Sequence, residues 1–214
     1  KLQAFIFDMD GVIVDSEPIH AQAFREVFHE MGYGETHGMD FDAYLGKSDR
    51  ALWLDFVEKH KPKQPLAELI EWKQRRFLEI LNHERPIFAT LPALLEKLAR
   101  RYKLAVASGS FHAVIDDVLA MEGLRRFFPV VVSVQDVKHG KPAPDVFLRS
   151  AQLLSVPPQS CCVIEDASAG VEAALAAGMS VIAITNSLPA QALARATHVV
   201  RTYAEIEQLL LASS

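Results

Sequence analysis

The sequence predicts an α/β protein: a Rossmann-like core, in which a parallel sheet carries helices on both faces, together with an inserted all-helical domain. Three observations predict it. After Pro86, short apolar runs alternate with helical patterns of ten or so residues, which is the grammar of right-handed crossovers between parallel strands. An uncharged run, Ala4 to Phe7, reads as one more strand of that sheet, buried on both faces. Between Asp15 and about Arg85 only helical patterns occur. The domain reading is therefore residues 1–15 and 86–214 for the core and 16–85 for a helical cap, inserted where it can sit over the carboxyl ends of the strands.

In the cap segment, Ile19, Ala23, Val27 and Met31 recur every four residues, with Pro18 near the start and Gly32 past the end, so 17–32 reads as a helix. Two further helices fall at about 50–60 (Trp53, Phe56, Val57) and 66–82 (Leu69, Trp72, Phe77, Ile80, Leu81). The core then runs helix 92–101, strand 104–107, helix 112–122, strand 130–134, helix 144–154, strand 161–164, helix 169–177 and strand 181–184.

Composition narrows the class. With 214 residues, half of them hydrophobic, the chain can bury a sizeable core. Its net charge of −5 argues against binding nucleic acid or an anionic membrane surface. No stretch reads as a signal peptide or membrane span, so a cytoplasmic protein is expected. Cys161 and Cys162 are neighbours in an apolar run and would face opposite ways on a strand, which suits small buried hydrophobes better than a disulfide or a metal site.

The chemistry lies at the strand ends. Asp8 and Asp10 follow the first strand one residue apart and, in extended backbone, face the same way. Two like charges that close repel unless a cation or a shared proton relieves them, although Asp and Gly also favour turns. The second strand ends in Ser108-Gly109-Ser110, the fourth in Glu165-Asp166, and Lys141 precedes a helix in Gly140-Lys141-Pro142. In a parallel sheet these ends converge on one crevice. Asp8, Asp10 and Asp166 offer the hard oxygen ligands that suit Mg²⁺, while Ser108, the Gly109 backbone N–H and Lys141 form a cradle for a tetrahedral anion. A metal beside an anion cradle indicates phosphoryl transfer, in which Asp8 attacks phosphorus and Asp10 acts as acid and base.

The run Asp8-Met9-Asp10-Gly11-Val12-Ile13-Val14-Asp15-Ser16-Glu17, with Ser108, Lys141-Pro142 and Glu165-Asp166, resembles in order and spacing the four motifs of the haloacid dehalogenase-like hydrolase superfamily. It is most similar to the branch that contains beta-phosphoglucomutase, 2-deoxyglucose-6-phosphatase and phosphoglycolate phosphatase. The resemblance implies Asp8 as nucleophile and Asp10 as acid/base. It implies Mg²⁺ held by Asp8, the Asp10 backbone carbonyl and Asp166, with Glu165 a further ligand or a partner of the ligands. Ser108 and Lys141, with the Met9 and Gly109 backbone, would hold the phosphate.

The same resemblance directs attention to His20 near the cap's entry, and to Gly46-Lys47-Ser48-Asp49-Arg50, similar to a cap loop that meets the substrate's distal group. Mutase relatives carry an arginine directly after that serine, where this chain has Asp49 and then Arg50. They also carry a lysine and an asparagine soon after the motif serine, where this chain has Phe111-His112. The lost cation weakens the case for retaining a bisphosphate intermediate, so hydrolysis is preferred. Lys47, Arg50, Lys73 and His112 remain substrate candidates, although Lys73, Arg75 and Arg76 read better as a solvated basic face and His112 as a helix-start residue. The Lys141–Pro142 bond is expected to be trans, as most such bonds are. The expected protein is a Mg²⁺-dependent phosphatase for a small phosphorylated metabolite, in particular a sugar phosphate, and a monomer or at most a weak dimer. The alternatives are a sugar-phosphate mutase and a non-catalytic phosphometabolite-binding module.

Overall fold

The computed structural model describes residues 1–45 and 48–211. The chain divides into two compact units, Lys1–Asp15 with Ile87–Ser214, and Ser16–Pro86.

The first unit is built on a six-stranded, wholly parallel sheet. Its strands are β1 (Ala4–Phe7), β2 (Lys103–Ser108), β3 (Val130–Ser133), β4 (Cys161–Glu165), β5 (Ser180–Ile184) and β6 (His198–Val200), in the order β3-β2-β1-β4-β5-β6. β1 is central: Phe5 lies opposite Leu104 on one side and Cys162 on the other. A strand paired on both edges and covered on both faces has no position for a charge, and all four β1 residues are fully buried. Alternation sends Ala4 and Ile6 into one core layer with Val146 and Phe147 of α6 (Asp145–Leu154) and Val171 and Ala174 of α7 (Ser168–Ala176). Phe5 and Phe7 point the other way, where their rings meet Tyr102 and Phe128 edge-on at 4.8 and 5.8 Å. The remaining helices of this unit are α4 (Leu91–Ala99), α5 (His112–Ala120) and α8 (Tyr203–Leu211). Sequence order reverses between β1 and β4, so the crevice of an open α/β sheet falls at their carboxyl ends.

The second unit holds α1 (Glu17–Glu30), α2 (Asp49–His60) and α3 (Leu66–Glu84), with no strand among its described residues. Its core is aromatic. Phe28 packs 4.5 Å from Phe56 and 5.4 Å from Trp53, and Val27, Leu52 and Leu69 fill the space around them.

Two elements lie beyond the expected strand and helix set, β6 and α8. β6 is a three-residue edge strand with His198 and Val199 exposed, so it lacks the buried run that marks the other strands. No described helix is long and apolar enough to cross a membrane.

Candidate active site

The fold gathers the strand-end residues of the first unit. Asp8 continues the line of β1, its N–H donating to Ile164 O at 3.0 Å, and this fixes its side chain beside the end of β4. Beyond it the chain turns sharply: Ile13 N–H returns to Met9 O (2.8 Å), and Gly11 N–H to Val14 O (2.8 Å). Gly11 has φ +77°, and a Cβ there would collide with Asp166 Oδ2 and crowd Ser187 Oγ. Glycine is thus required twice over, by the backbone and by the neighbouring carboxylate.

Lys141 reaches the site from the loop before α6. Its Nζ donates to Asp8 Oδ1 (2.7 Å), Glu165 Oε1 (2.6 Å) and Ala107 O (3.2 Å). The Lys141–Pro142 bond is cis, which corrects the expectation of trans. Glu165 is 1% exposed and has both oxygens engaged, since Oε2 accepts from the Asp166 (2.9 Å) and Ala167 (3.1 Å) N–H groups. This makes Glu165 an anchor for Lys141 and for the turn that aims Asp166. Asp166 Oδ2 accepts from Ser187 Oγ.

Ser108, fully buried at the end of β2, accepts from Ser110 N–H at 3.0 Å, and Gly109 between them is exposed. Ser110 Oγ donates to Asp10 Oδ2 at 3.1 Å, tying the second strand's loop to the second acid. Met9 is fully buried, so its side chain carries no chemistry.

Electrostatics give the cluster its character. Burial, with the Asp8 charge beside it, pushes the Glu165 carboxyl up to about 7 against the opposing pull of Lys141. Burial likewise raises Asp166 well above the ordinary carboxylate range, with Asp8 and Glu165 adding repulsion. Burial alone would lower Lys141, yet Asp8 and Glu165 outweigh it and hold the ammonium charged. Lys141 pairs with two of three buried acids, and oxygens of Asp8, Glu165 and Asp166 all lie within 4.8 Å of one another. Such an excess of hard, negative oxygen fits a divalent cation such as Mg²⁺.

The remaining candidates stand elsewhere. His112 opens α5, and its Nε2 lies 2.8 Å from Asp136 Oδ2, in the first unit. In the helical unit, Lys73 is fully buried, which overturns its reading as a solvated residue. Its Nζ lies 2.5 Å from both His20 Nδ1 and Asp49 Oδ2, and over the rings of Phe24 and Phe77 at 4.7 and 4.9 Å. Burial and the lysine charge drive His20 down to about 4, so its ring is neutral and accepts. Arg75 is exposed, whereas Arg76 is half-buried and pairs with Glu26, Glu30 and Glu79. Arg50 is exposed in the first turn of α2, and Lys47 lies outside the described residues. Cys161 and Cys162 are free and buried as expected, and burial raises both thiols to about 11.

Sequence reasoning missed Ser110, Ser187 and Gly170. A Cβ on Gly170 would collide with the Glu165 carboxylate, so α7 tolerates a glycine to let that side chain lie against it. The signal was present, because a glycine inside a helix costs ~1 kcal/mol and calls for a packing reason.

The chain is 36% identical over 186 residues to the fructose-1-phosphate phosphatase of Escherichia coli (strain K12), covering 85% of this chain and 96% of that protein. It is 33% identical over 183 residues to the phosphorylated carbohydrates phosphatase of Thermotoga maritima, covering 83% and 82%. The crystal structure of a beta-phosphoglucomutase from Clostridium difficile superimposes with a TM-score of 0.78 at 26% identity, over 99% of this chain and 96% of that one. The family model for haloacid dehalogenase-like hydrolases matches residues 5–184, a span that takes in both acids of the first strand's end, Ser108, Lys141, Glu165 and Asp166. On that match, the chain belongs to the haloacid dehalogenase-like hydrolase family.

Proposed function

We propose that the chain is a Mg²⁺-dependent phosphatase that hydrolyses a small sugar phosphate through an aspartyl-phosphate intermediate. The observation that carries this reading is the Asp8 carboxylate, held 2.7 Å from Lys141 Nζ inside a cluster of buried acids. Asp8, Asp166 and the Asp10 backbone would hold the ion, whose contribution is to neutralise charge on the phosphoryl oxygens. An Asp8 oxygen attacks phosphorus and the ester P–O bond breaks, while Asp10 gives its proton to the departing alkoxide. Water then attacks the phosphorylated Asp8, passes a proton to Asp10 and releases phosphate. Ser108, the Gly109 and Met9 backbone and Lys141 cradle the phosphoryl group throughout.

Substrate selectivity is assigned to His20 and Arg50 of the helical unit and to His112 of the core, whereas Lys73 is fully buried against Asp49 and serves the helical unit's own packing. A sugar substrate is supported by the names of the two phosphatase relatives. A mutase reading draws on the likeness to beta-phosphoglucomutase. Incubation with a hexose 1-phosphate, Mg²⁺ and trace bisphosphate separates the two: free phosphate supports hydrolysis, and an isomeric product without it supports the mutase. In a panel of glycolate, glycerol and hexose phosphates, Asp8→Asn is expected to abolish phosphate release. An unchanged rate overturns the assignment of Asp8 as nucleophile, whereas no phosphate release by the wild type from any ester favours a binding module.

A further inference from the structure

Three side chains beyond residue 184, where the family match ends, converge on the nucleophile loop and on Asp166. Asn186 and Ser187 lie in the turn and bend that follow β5, at the same end of the sheet as Asp8 and Asp166. Asn186 Nδ2 donates to Gly11 O (2.8 Å) and to the Tyr203 hydroxyl (3.2 Å), and that hydroxyl in turn donates to Val12 O. Val12 is fully buried and Tyr203 nearly so, so these bonds satisfy loop carbonyls that would otherwise lack partners away from water. Ser187 Oγ donates to Asp166 Oδ2 and sits over Gly11, where a Cβ would crowd it.

We infer that Ser187 is a positioning residue for the metal, setting the rotation of the Asp166 carboxylate and hence which oxygen it presents to a divalent cation, with Asn186 and Tyr203 bracing the facing loop. The inference rests on the reading of the acid cluster as a Mg²⁺ site. Two independent features support it. Asp166 Oδ2 lies against Gly11, which leaves no room for a Cβ, and accepts from the Ser187 hydroxyl. The neighbouring acid Glu165 holds the backbone of the turn through the Asp166 and Ala167 N–H groups and spends its other oxygen on Lys141, so the rotation of the Asp166 carboxylate itself is left to Ser187. Partners that orient metal ligands are typically worth 10–100-fold in affinity.

The test is Mg²⁺ binding by isothermal titration calorimetry on metal-free, full-length protein, for the wild type, Ser187→Ala and Ser187→Thr. Ser187→Ala should bind about tenfold more weakly, and Ser187→Thr, which keeps the hydroxyl, within about threefold of wild type. Metal-free melting should differ by no more than about 2 °C between wild type and Ser187→Ala, which separates a metal effect from a folding defect. Phosphatase activity of Ser187→Ala should recover at saturating Mg²⁺. Equal affinity of wild type and Ser187→Ala overturns this inference alone. A wild type that binds no Mg²⁺ overturns the reading of the site and this inference with it.

Discussion

Replacing Lys141 by methionine keeps most of the side chain's length and deletes its charge. Its Nζ lies 2.7 Å from Asp8 Oδ1 and 2.6 Å from Glu165 Oε1, and both acids are buried, so one substitution strips two carboxylates of a shared cation. Removing one partner of a buried ion pair costs about 3–5 kcal/mol. At roughly 2–4 °C per kcal/mol for a chain of this size, the metal-free variant should melt about 6–20 °C below wild type near neutral pH. The pH dependence gives a sharper check. Glu165 is already pushed up to about 7 from an ordinary 4.5, and without the opposing lysine it rises further. A carboxyl raised by folding penalises the folded state as pH climbs above its unfolded value, and the penalty grows until the folded value is passed. The gap between Lys141→Met and wild type should therefore be smallest at about pH 5 and widen from pH 7 to 9. Thermal unfolding in a chelating buffer at these values measures it. A gap below about 2 °C throughout, or one that narrows as pH rises, would refute the account of Lys141 as the charge that holds this cluster together.

Three further substitutions test packing and charge. Gly170→Ala would ordinarily stabilise a helix by ~1 kcal/mol; here it should lower the melting temperature and cut phosphatase activity more than tenfold, because its Cβ displaces the Glu165 carboxylate, and a raised melting temperature with full activity would contradict that contact. In the helical unit, Asp49→Ala leaves the buried Lys73 ammonium without its carboxylate, whereas Lys73→Met leaves an acid that is about one-third exposed to water. Denaturant melts should show Asp49→Ala as the more destabilising, by about 3 kcal/mol against about 1, and the reverse order would refute the assignment of burial to the cation side of the pair.

The acid cluster was legible in the sequence because its carriers are abrupt. A run without charges that ends in Asp8 and Asp10 cannot be an ordinary surface strand, and the parallel sheet brings Ser108, Lys141 and Glu165-Asp166 to the same end. Ser187 stands at a strand end as well, but a lone serine in a polar turn carries no signal until β5 is known to neighbour β4. Lys73 was misread for a different reason. It lies four residues from both Leu69 and Phe77, on the buried stripe of α3, so its charge outweighed a periodicity that pointed inward. Its partner Asp49 comes from α2, and no pattern within α3 announces it. The roles of His20, Arg50 and His112 depend on a ligand's shape, which neither periodicity nor spacing encodes.

The central place of β1 also bears on how the chain comes together. Ala4 pairs with Lys103 and with Cys161, so the middle of the sheet joins segments about a hundred and about a hundred and sixty positions apart. Loops of that length make the pairing late and slow, while the intervening helices can form on local contacts. On a ribosome adding ~5–20 residues per second, Ala-Phe-Ile-Phe waits roughly 8–30 s for its second neighbour. During that interval an unpaired, wholly apolar strand is the segment most exposed to association with other chains, and the first that a chaperone would have reason to hold.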